Sequence, residues 1–590
     1  MTEIEKRNLI AQWAFDTRPV LLRFHLWLED IEVERAQAEP VSAHSFAPRG
    51  IARCLAITSA ATALGTRLFG QWGEGLGKDK SAYNQVKKAA DAISAYAMSE
   101  GLWTLTRNLP ENHAIMVCLG EGLMPKAGET PEMGANPLLG FGRVYGRPEV
   151  ALAVDAATRK LLNDPNHRWA DFYEGLRKAG ITVWGAAVDT LENTSRFAEG
   201  KSTGPMSVIH LFDSPLTVTR PYEAYFGCLT VPAAVAETAA ARSVMLDWVT
   251  PRKTLLELIE ATYPGIDRQH VHIWTLGGKS RVARLGKLWA EWRALGVHVI
   301  EDGWVAPTGI PVFTDSGTYA PTFLVKSWQD EAGHRHVFLC DGYAATAEAM
   351  QAASLSQVLD VDATMSVLSP TFHNPYDEEY RLMKLQAGSK TFAREFGAIV
   401  GDQQVPSEQA VNEYREAIDE ARQSNIPLGK RVLRADDFMP EKKWRVLASL
   451  GYMCEDPYTA TPGVEKLSDD RYRVTTLLAT HDARSRITFT FRLMGGLEEA
   501  RLVFSPLLVR FMSGVNWTER AVKISDSGRI RNELQTLISQ ALEHDGEKIL
   551  VHFDRIDDKV LPREKQAIIR RVLEWYKAHH PVWFDWLELG

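Results

Sequence analysis

The sequence predicts an α/β fold whose central domain holds a mostly parallel sheet. Three observations support this prediction. A strand, a Gly-rich turn, a helix and a second strand follow one another over residues 270–301, other short apolar runs end in acidic, Gly or hydroxyl residues, and helical segments separate many of these runs. Strands joined through helices are typical of parallel sheets. We therefore expect an open, doubly wound, Rossmann-like core.

The segment that begins at His270 is the clearest of these units. HVHIWTL has the composition of a strand, VARLGKLWAEWRALG has the apolar spacing of a helix, and VHVI is a second strand that ends at Glu301. In open α/β sheets, ligands bind beyond the carboxyl ends of the strands. The turns at those ends are therefore where we expect the chemistry of this protein.

The length of 590 residues predicts several domains, because one hydrophobic core rarely serves more than about 300 residues. We expect a helical N-terminal region over 1–110, the α/β core over 111–398, a linker with an exposed helix over 399–440, and an α+β domain over 441–590. The last domain is predicted from alternating strands such as RSRITFTFRL. Its aromatic end, WYKAHHPVWFDWLEL, is a candidate surface for homo-oligomer formation.

Composition excludes several classes of protein. A net charge of -8 gives no basic surface for phosphate backbones, so we expect no nucleic-acid partner. The five cysteines stand far apart without a C-x-x-C pair, which disfavours a disulfide framework or a cysteine zinc site. The N-terminus lacks the pattern of a signal peptide, and no apolar run is long enough to span a membrane. These features predict a soluble, cytoplasmic protein with no membrane partner.

The turn after the first strand of the 270–301 unit is the best candidate for anion binding. Its glycines let backbone N–H groups approach a ligand, the following helix presents its positive end, and two basic side chains add full charges. A phosphate or a carboxylate suits such a turn. The turn consists of Gly277, Gly278, Lys279, Ser280 and Arg281.

Three further basic residues are candidate anion ligands. Lys126 and Arg143 flank a long Gly/Pro-rich connection of the kind that often forms an active-site loop, and Arg196 follows the predicted strand ITVWGAAV. A nucleotide is one possible ligand, since Glu301 lies where dinucleotide folds accept a ribose hydroxyl. A nicotinamide cofactor is less favoured, because the G-x-G-x-x-G fingerprint is missing.

Four residues are candidates for acid/base catalysis or for binding a divalent cation: Glu301, Asp315, Asp341 and Tyr343. Each follows an apolar run near the predicted edge of the sheet. Structural roles are the alternatives, since Asp315 also fits a hairpin turn and Asp341 also fits a helix N-cap. The sequence does not identify a cofactor. A divalent cation and a nucleotide are both compatible with these residues.

Histidines occur in two i, i+2 pairs, His270 with His272 and His334 with His336. Each pair precedes its apolar run and should lie at the amino end of a parallel strand, opposite the expected active edge. We therefore expect structural or surface roles for them.

Together these observations predict an enzyme that acts on a small phosphorylated or carboxylated metabolite, or on a nucleotide. Transfer, isomerisation and lysis all remain open, because no signature of a known catalytic motif occurs. The alternative is a non-catalytic protein that senses a metabolite or assembles a complex on an α/β scaffold. The aromatic C-terminus and the predicted exposed linker helix favour that alternative.

Overall fold

A computed structural model describes part of the chain. The described residues are 26–35, 51–107, 109–120, 139, 143–164, 166–167, 169–212, 225–244, 246, 250–277, 282–315, 319–345, 361–368, 432–434, 446–479, 484–493, 542–545, 548–556, 558, 587–590 and single residues between 563 and 578.

Nine α-helices lie within the described residues. In chain order they are α1 (Ile51–Phe69), α2 (Lys80–Arg107), α3 (Pro148–Asn163), α4 (Trp169–Lys178), α5 (Thr194–Ala198), α6 (Ala233–Ala241), α7 (Arg252–Thr262), α8 (Val282–Ala294) and α9 (Tyr319–Thr322). Two 3-10 helices span Arg268–His270 and Phe553–Arg555.

The described strands form three sheets. In chain order they are β1 (Leu26–Arg35), β2 (His113–Leu119), β3 (Val144–Gly146), β4 (Thr182–Glu192), β5 (Met206–Phe212), β6 (Tyr225–Pro232), β7 (Val271–Trp274), β8 (His298–Val299), β9 (Lys326–Gln329), β10 (Arg335–Ala345), β11 (Val361–Leu368), β12 (Val432–Arg434), β13 (Val446–Tyr452), β14 (Val464–Lys466), β15 (Arg471–Ala479), β16 (Arg484–Leu493), β17 (Leu542–Asp545), β18 (Lys548–Val551) and β19 (Leu587–Leu589).

The largest sheet has nine strands in the order β1-β16-β15-β13-β5-β4-β2-β3, with β14 beside β15. Alternating residues of β15 and β16, such as Val474 and Phe489, are buried and face each other across the ladder. Helix α1 packs on this sheet. Its close approach requires Gly451 in β13, where a Cβ atom would collide with the backbone oxygen of Ser59.

The prediction of a mostly parallel, doubly wound, Rossmann-like sheet is wrong. In the large sheet only β2 and β4 pair in parallel, and the other described neighbours are antiparallel. The physical reason is that apolar runs indicate strands but not their partners. Strand β5 pairs with β13, more than 200 residues later, so long-range pairing sets the direction of the ladder.

The second sheet has seven strands in the order β12-β11-β6-β10-β7-β8, with β9 beside β10. It contains the predicted βαβ unit, because β7 and β8 pair in parallel and α8 connects them in sequence. Strand β10 also runs parallel to β7, whereas its ladders with β6 and β9 are antiparallel. A short parallel ladder is therefore set into a mixed sheet.

The third sheet consists of β17, β18 and β19. Among the residues that the structure describes, no helix combines the length and apolar character needed to cross a bilayer.

Candidate functional site

The segment around Thr314 contacts the residues that follow the carboxyl ends of β7 and β8. The backbone N–H of Gly277, three residues after β7, donates to the backbone oxygen of Thr314. A Cβ atom at Gly277 would lie 2.5 Å from the Thr314 hydroxyl oxygen, so a larger residue fits here only if the backbone moves. Asp302, which follows β8, accepts hydrogen bonds from the hydroxyl and the backbone N–H of Thr314.

A second set of contacts holds Phe313 in the same place. The indole N–H of Trp274, the last residue of β7, donates to the backbone oxygen of Phe313 at 2.7 Å. The hydroxyl of Tyr458 accepts the backbone N–H of Phe313 at 2.9 Å, and the two rings pack edge to face. Both backbone polar groups of Phe313 are therefore paired with aromatic side chains from distant parts of the sequence.

Arg196 approaches this point from the side of the large sheet. Its Nε and Nη2 groups donate to the backbone oxygen and the hydroxyl of Thr203, and its Nη1 group lies 3.1 Å from Asp315 Oδ1. The guanidinium carbon lies 3.9 Å from the centroid of the Phe313 ring. Three neighbours thus hold one planar cation in a fixed orientation.

We call the group formed by Arg196, Gly277, Thr314 and Asp315 the rim site. Three of its members, Arg196, Gly277 and Asp315, are residues that the sequence predicted for ligand binding or catalysis, and the structure brings them together. The side chain of Arg196 is mostly covered, while that of Asp315 is 41% exposed. The rim site therefore offers an ordered guanidinium and a carboxylate that solvent can reach.

Asp341 lies in a different environment. Within β10 it is fully buried, and its carboxylate accepts hydrogen bonds from Arg252 Nε at 2.8 Å and Nη2 at 2.5 Å. The Trp292 indole N–H donates to the same carboxylate at 2.6 Å. These neighbours come from α7 and α8, which cover Asp341 and close it off from solvent.

Three other predicted residues that the structure describes, Glu301, Arg143 and Tyr343, make their described contacts outside the rim site. Glu301 is 79% exposed and lies 3.5 Å from Arg293 of α8. Arg143 is buried, with its guanidinium 5.5 Å from the Tyr145 ring centroid. Tyr343 pairs through its backbone with Gly227 in the ladder between β10 and β6. The predicted residues Lys126, Gly278, Lys279, Ser280 and Arg281 lie outside the described residues.

Sequence patterns did not identify Asp456 or Tyr458, which lie close to the rim site. Asp456 is buried, and one carboxylate oxygen accepts hydrogen bonds from the backbone and hydroxyl of Thr459. Its other oxygen has no hydrogen-bond partner among the described residues. Burial raises the pKa of Asp456 to about 6 and raises the pKa of Tyr458. The segment CEDPYTATPG indicates only a turn, and nothing in it signals burial.

Metal ligation was left open by the sequence. Within the part of the chain that the structure describes, no group of three or more His, Cys, Asp or Glu side chains is arranged to hold a metal ion.

Comparison with known proteins does not assign this chain to a family. No model of a known protein family matches the chain. A search of curated proteins likewise finds no relative. The function must therefore be inferred from the contacts of the chain itself.

Proposed function

We propose that the protein is an enzyme that binds a small anionic metabolite, phosphorylated or carboxylated, or a nucleotide, at the rim site. The observation that carries this proposal is the meeting of Arg196 with Asp315 beside Gly277, beyond the carboxyl ends of two parallel strands. In open α/β sheets, ligands bind beyond the carboxyl ends of the parallel strands, and we extend that preference to the short parallel ladder of β7, β8 and β10. A cytoplasmic setting is part of the proposal.

The contacts of Arg196 favour an anion as the ligand. Two of its N–H groups donate to Thr203, which fixes the plane of the guanidinium, while the Nη1 group donates to Asp315, whose side chain is 41% exposed. An incoming phosphate or carboxylate can share or replace Asp315 on that side at little cost, because a partly exposed ion pair is weak.

The residues that follow Gly277 in sequence are the second half of the proposed site. Helix α8, with 13 residues, begins at Val282, so its N-terminal backbone groups favour a negative ligand. Lys279 and Arg281 precede this helix in sequence, and we propose them as two further cationic ligands. Gly277 itself is held against Thr314, which ties the start of the turn to Asp315.

Asp315 is the leading candidate for acid/base catalysis or for holding a divalent cation on a bound phosphate. It is exposed and oriented by Arg196, whereas Asp341 is enclosed by Arg252 and Trp292. Catalytic carboxylates need access to the substrate as well as orientation. Transfer, isomerisation and lysis all remain compatible with this arrangement.

The test is a thermal-shift panel of inorganic phosphate, phosphorylated sugars, nucleotides and dicarboxylates, with and without Mg²⁺. A ligand at about 100 times its Kd should stabilise the wild type by about 2.7 kcal/mol. Arg196→Gln and Lys279→Ala should lose that shift, each measured against its own ligand-free melting temperature. The matched control is Arg268→Gln, an exposed arginine whose Nε lies 2.7 Å from Glu260.

The outcome separates the alternatives. Retention of the full shift in Arg196→Gln, or no shift with any ligand, would exclude the rim site as the binding site. If a ligand binds at Arg196 and is turned over, activity should fall in Asp315→Asn. Binding without any turnover would favour a metabolite sensor over an enzyme.

A further inference from the structure

Five histidines meet at the amino ends of the parallel ladder in the second sheet. His272 and His298 are paired across β7 and β8, and His336 is the second residue of β10. His270 ends the 3-10 helix before β7, and His334 lies in the turn before β10. We call these five residues with Asp330 the histidine cluster. The sequence placed both pairs at this end of the strands and expected structural or surface roles.

Three of the rings form one hydrogen-bonded chain. His298 Nδ1 lies 2.8 Å from His272 Nδ1, and His272 Nε2 lies 2.9 Å from His336 Nδ1. His336 Nε2 lies 3.2 Å from Asp330 Oδ2, so the chain ends on a carboxylate. His272 and His336 are each 4% exposed, while His298 and Asp330 at the two ends are partly exposed.

When all three rings are neutral, only one placement of their protons satisfies every hydrogen bond from His298 to Asp330. A carboxylate only accepts, so His336 must carry its proton on Nε2 and accept on Nδ1. His272 must then donate from Nε2 and accept on Nδ1, and His298 must donate from Nδ1. The lone pair on His298 Nε2 is the one that this chain leaves unused, at the partly exposed end.

One added proton can enter there without breaking any of the three hydrogen bonds. It binds His298 Nε2, the Nδ1 proton of His298 passes to His272 Nδ1, and the Nε2 proton of His272 passes to His336 Nδ1. His336 is then an imidazolium beside the Asp330 carboxylate, and both other rings are neutral with reversed tautomers. Every ring lone pair in the chain is now used, so a second proton must break a link between adjacent rings.

We propose that the histidine cluster is a proton relay that stores one proton between His336 and Asp330 and opens when a second proton binds. Its ligand is the proton itself. The relay runs from His298 at one edge, through the buried His272, to the carboxylate at the other edge.

The surroundings of the chain support this direction of transfer. Burial, and then the neighbouring histidines, lower the pKa of His272 to about 3, so charge does not rest at the middle ring. The hydrogen bond from His336 lowers the pKa of Asp330 to about 2, which keeps the acceptor ionised. Trp304 and Trp328 pack at 4.9 Å from His272 and 5.4 Å from His336, measured between ring centroids, and help to cover the chain.

Other titratable groups of the described residues lie near these hydrogen-bonded rings. The ring of His270 lies 4.4 Å from that of His336, and His334 Nδ1 lies 3.2 Å from the same Asp330 oxygen. Burial lowers the pKa of His298, and the negative charge of Glu301 opposes this by raising it. Arg335 places its guanidinium over Tyr263, at 5.6 Å from that ring's centroid.

Nitrogen-15 NMR of the full chain with labelled histidine rings tests the relay. At about pH 8 we expect the Nε2–H tautomer for His272 and His336 and the Nδ1–H tautomer for His298. On acidification, His272 and His298 should reverse tautomer together as His336 becomes an imidazolium. Independent titration of the three rings without reversal would overturn the proposal. So would stoichiometric binding of Zn²⁺ that abolishes the titration, because the cluster would then be a metal site.

Asp330→Asn removes the carboxylate that stabilises the stored charge. The first protonation should then move to lower pH by about one unit or more. Hydrogen exchange of peptides covering 298–304 and 326–338, corrected for intrinsic rates, should show opening at the second protonation and not at the first, and in Asp330→Asn both protonations should occur at lower pH. The matched control is His113→Gln, which removes a histidine at the amino end of β2 that accepts from Trp184. An unchanged titration in Asp330→Asn would contradict the relay.

Discussion

Two arginine–aspartate pairs connect distant parts of this chain and differ mainly in burial. In the pair of Arg252 with Asp341, both side chains are fully buried and the closest atoms are 2.5 Å apart. In the pair of Arg196 with Asp315, the side chains are 13% and 41% exposed and the closest atoms are 3.1 Å apart. The same residue types therefore build a closed core contact in one region and an open, displaceable contact in the other.

The difference follows from desolvation. A buried carboxylate loses its water and is tolerated only when several donors replace that water, which Arg252 and Trp292 do for Asp341. Asp315 keeps contact with water and depends less on Arg196. An anionic ligand can therefore compete for Arg196 but not for Arg252. This contrast is the physical basis for placing the candidate site at the rim.

The largest expected effect comes from breaking the buried pair. Asp341→Asn should lower the free energy of unfolding by about 3–5 kcal/mol, because the Arg252 charge stays buried without its counter-charge. Denaturant unfolding measures the loss. The double variant Arg252→Met with Asp341→Leu should recover much of it, since neither charge then remains. Wild-type stability in Asp341→Asn would show that the pair is not the core contact described here.

Asp456 sharpens the comparison as a buried aspartate whose described side-chain hydrogen bonds come from Thr459. Its pKa is raised to about 6, so the protonated form is favoured in the folded state. The resulting stability is fully present below about pH 4, where the unfolded group is also protonated, and is lost as pH rises through about 6.

Compared with Asp456→Asn, the wild type should therefore lose up to about 3 kcal/mol between about pH 4 and about pH 7. Melting curves of both proteins across that range measure the difference. A difference that stays constant with pH would mean that Asp456 titrates normally.

Removing one donor from the buried pair should have a smaller effect. Trp292→Phe deletes the indole N–H that donates to Asp341 but keeps an aromatic ring in the core. The expected loss is about 1–3 kcal/mol, typical of a buried hydrogen bond to a charged group. A matched control is Trp328→Phe, because the indole N–H of Trp328 makes no hydrogen bond within the described residues. Equal losses in both variants would assign the effect to ring packing.

The local βαβ unit was predictable because a strand, turn and helix each have their own periodicity over residues 270–301. The global sheet was not, since the partner of β5 is β13 and no local pattern specifies a partner so far away. The direction of the strands correctly placed His272 and His336 at the amino ends of β7 and β10, but their chain of hydrogen bonds depends on the register between three strands.

The lack of information about distant partners also explains why the sequence could not rank the candidate site residues. Asp341 and Asp315 both follow apolar runs, and nothing local distinguishes them. Arg252 lies 89 positions from Asp341, and Arg196 lies 119 positions from Asp315, so the arginine that decides each environment is distant in sequence. Sequence patterns therefore identified chemically capable residues, and tertiary packing decided which of them solvent can reach.

The smallest expected effect on stability comes from the rim. Asp315→Asn should change the free energy of unfolding by about 0–1 kcal/mol, because the pair with Arg196 is partly exposed and Thr203 still orients the guanidinium. Denaturant unfolding beside Asp341→Asn makes the comparison direct. A loss at Asp315 as large as that at Asp341 would mean that both pairs are structural contacts, and an anion could then no longer displace Asp315 cheaply. A small loss leaves Arg196 as an oriented cation whose partner a ligand can replace, which is the condition that anion binding at this edge requires.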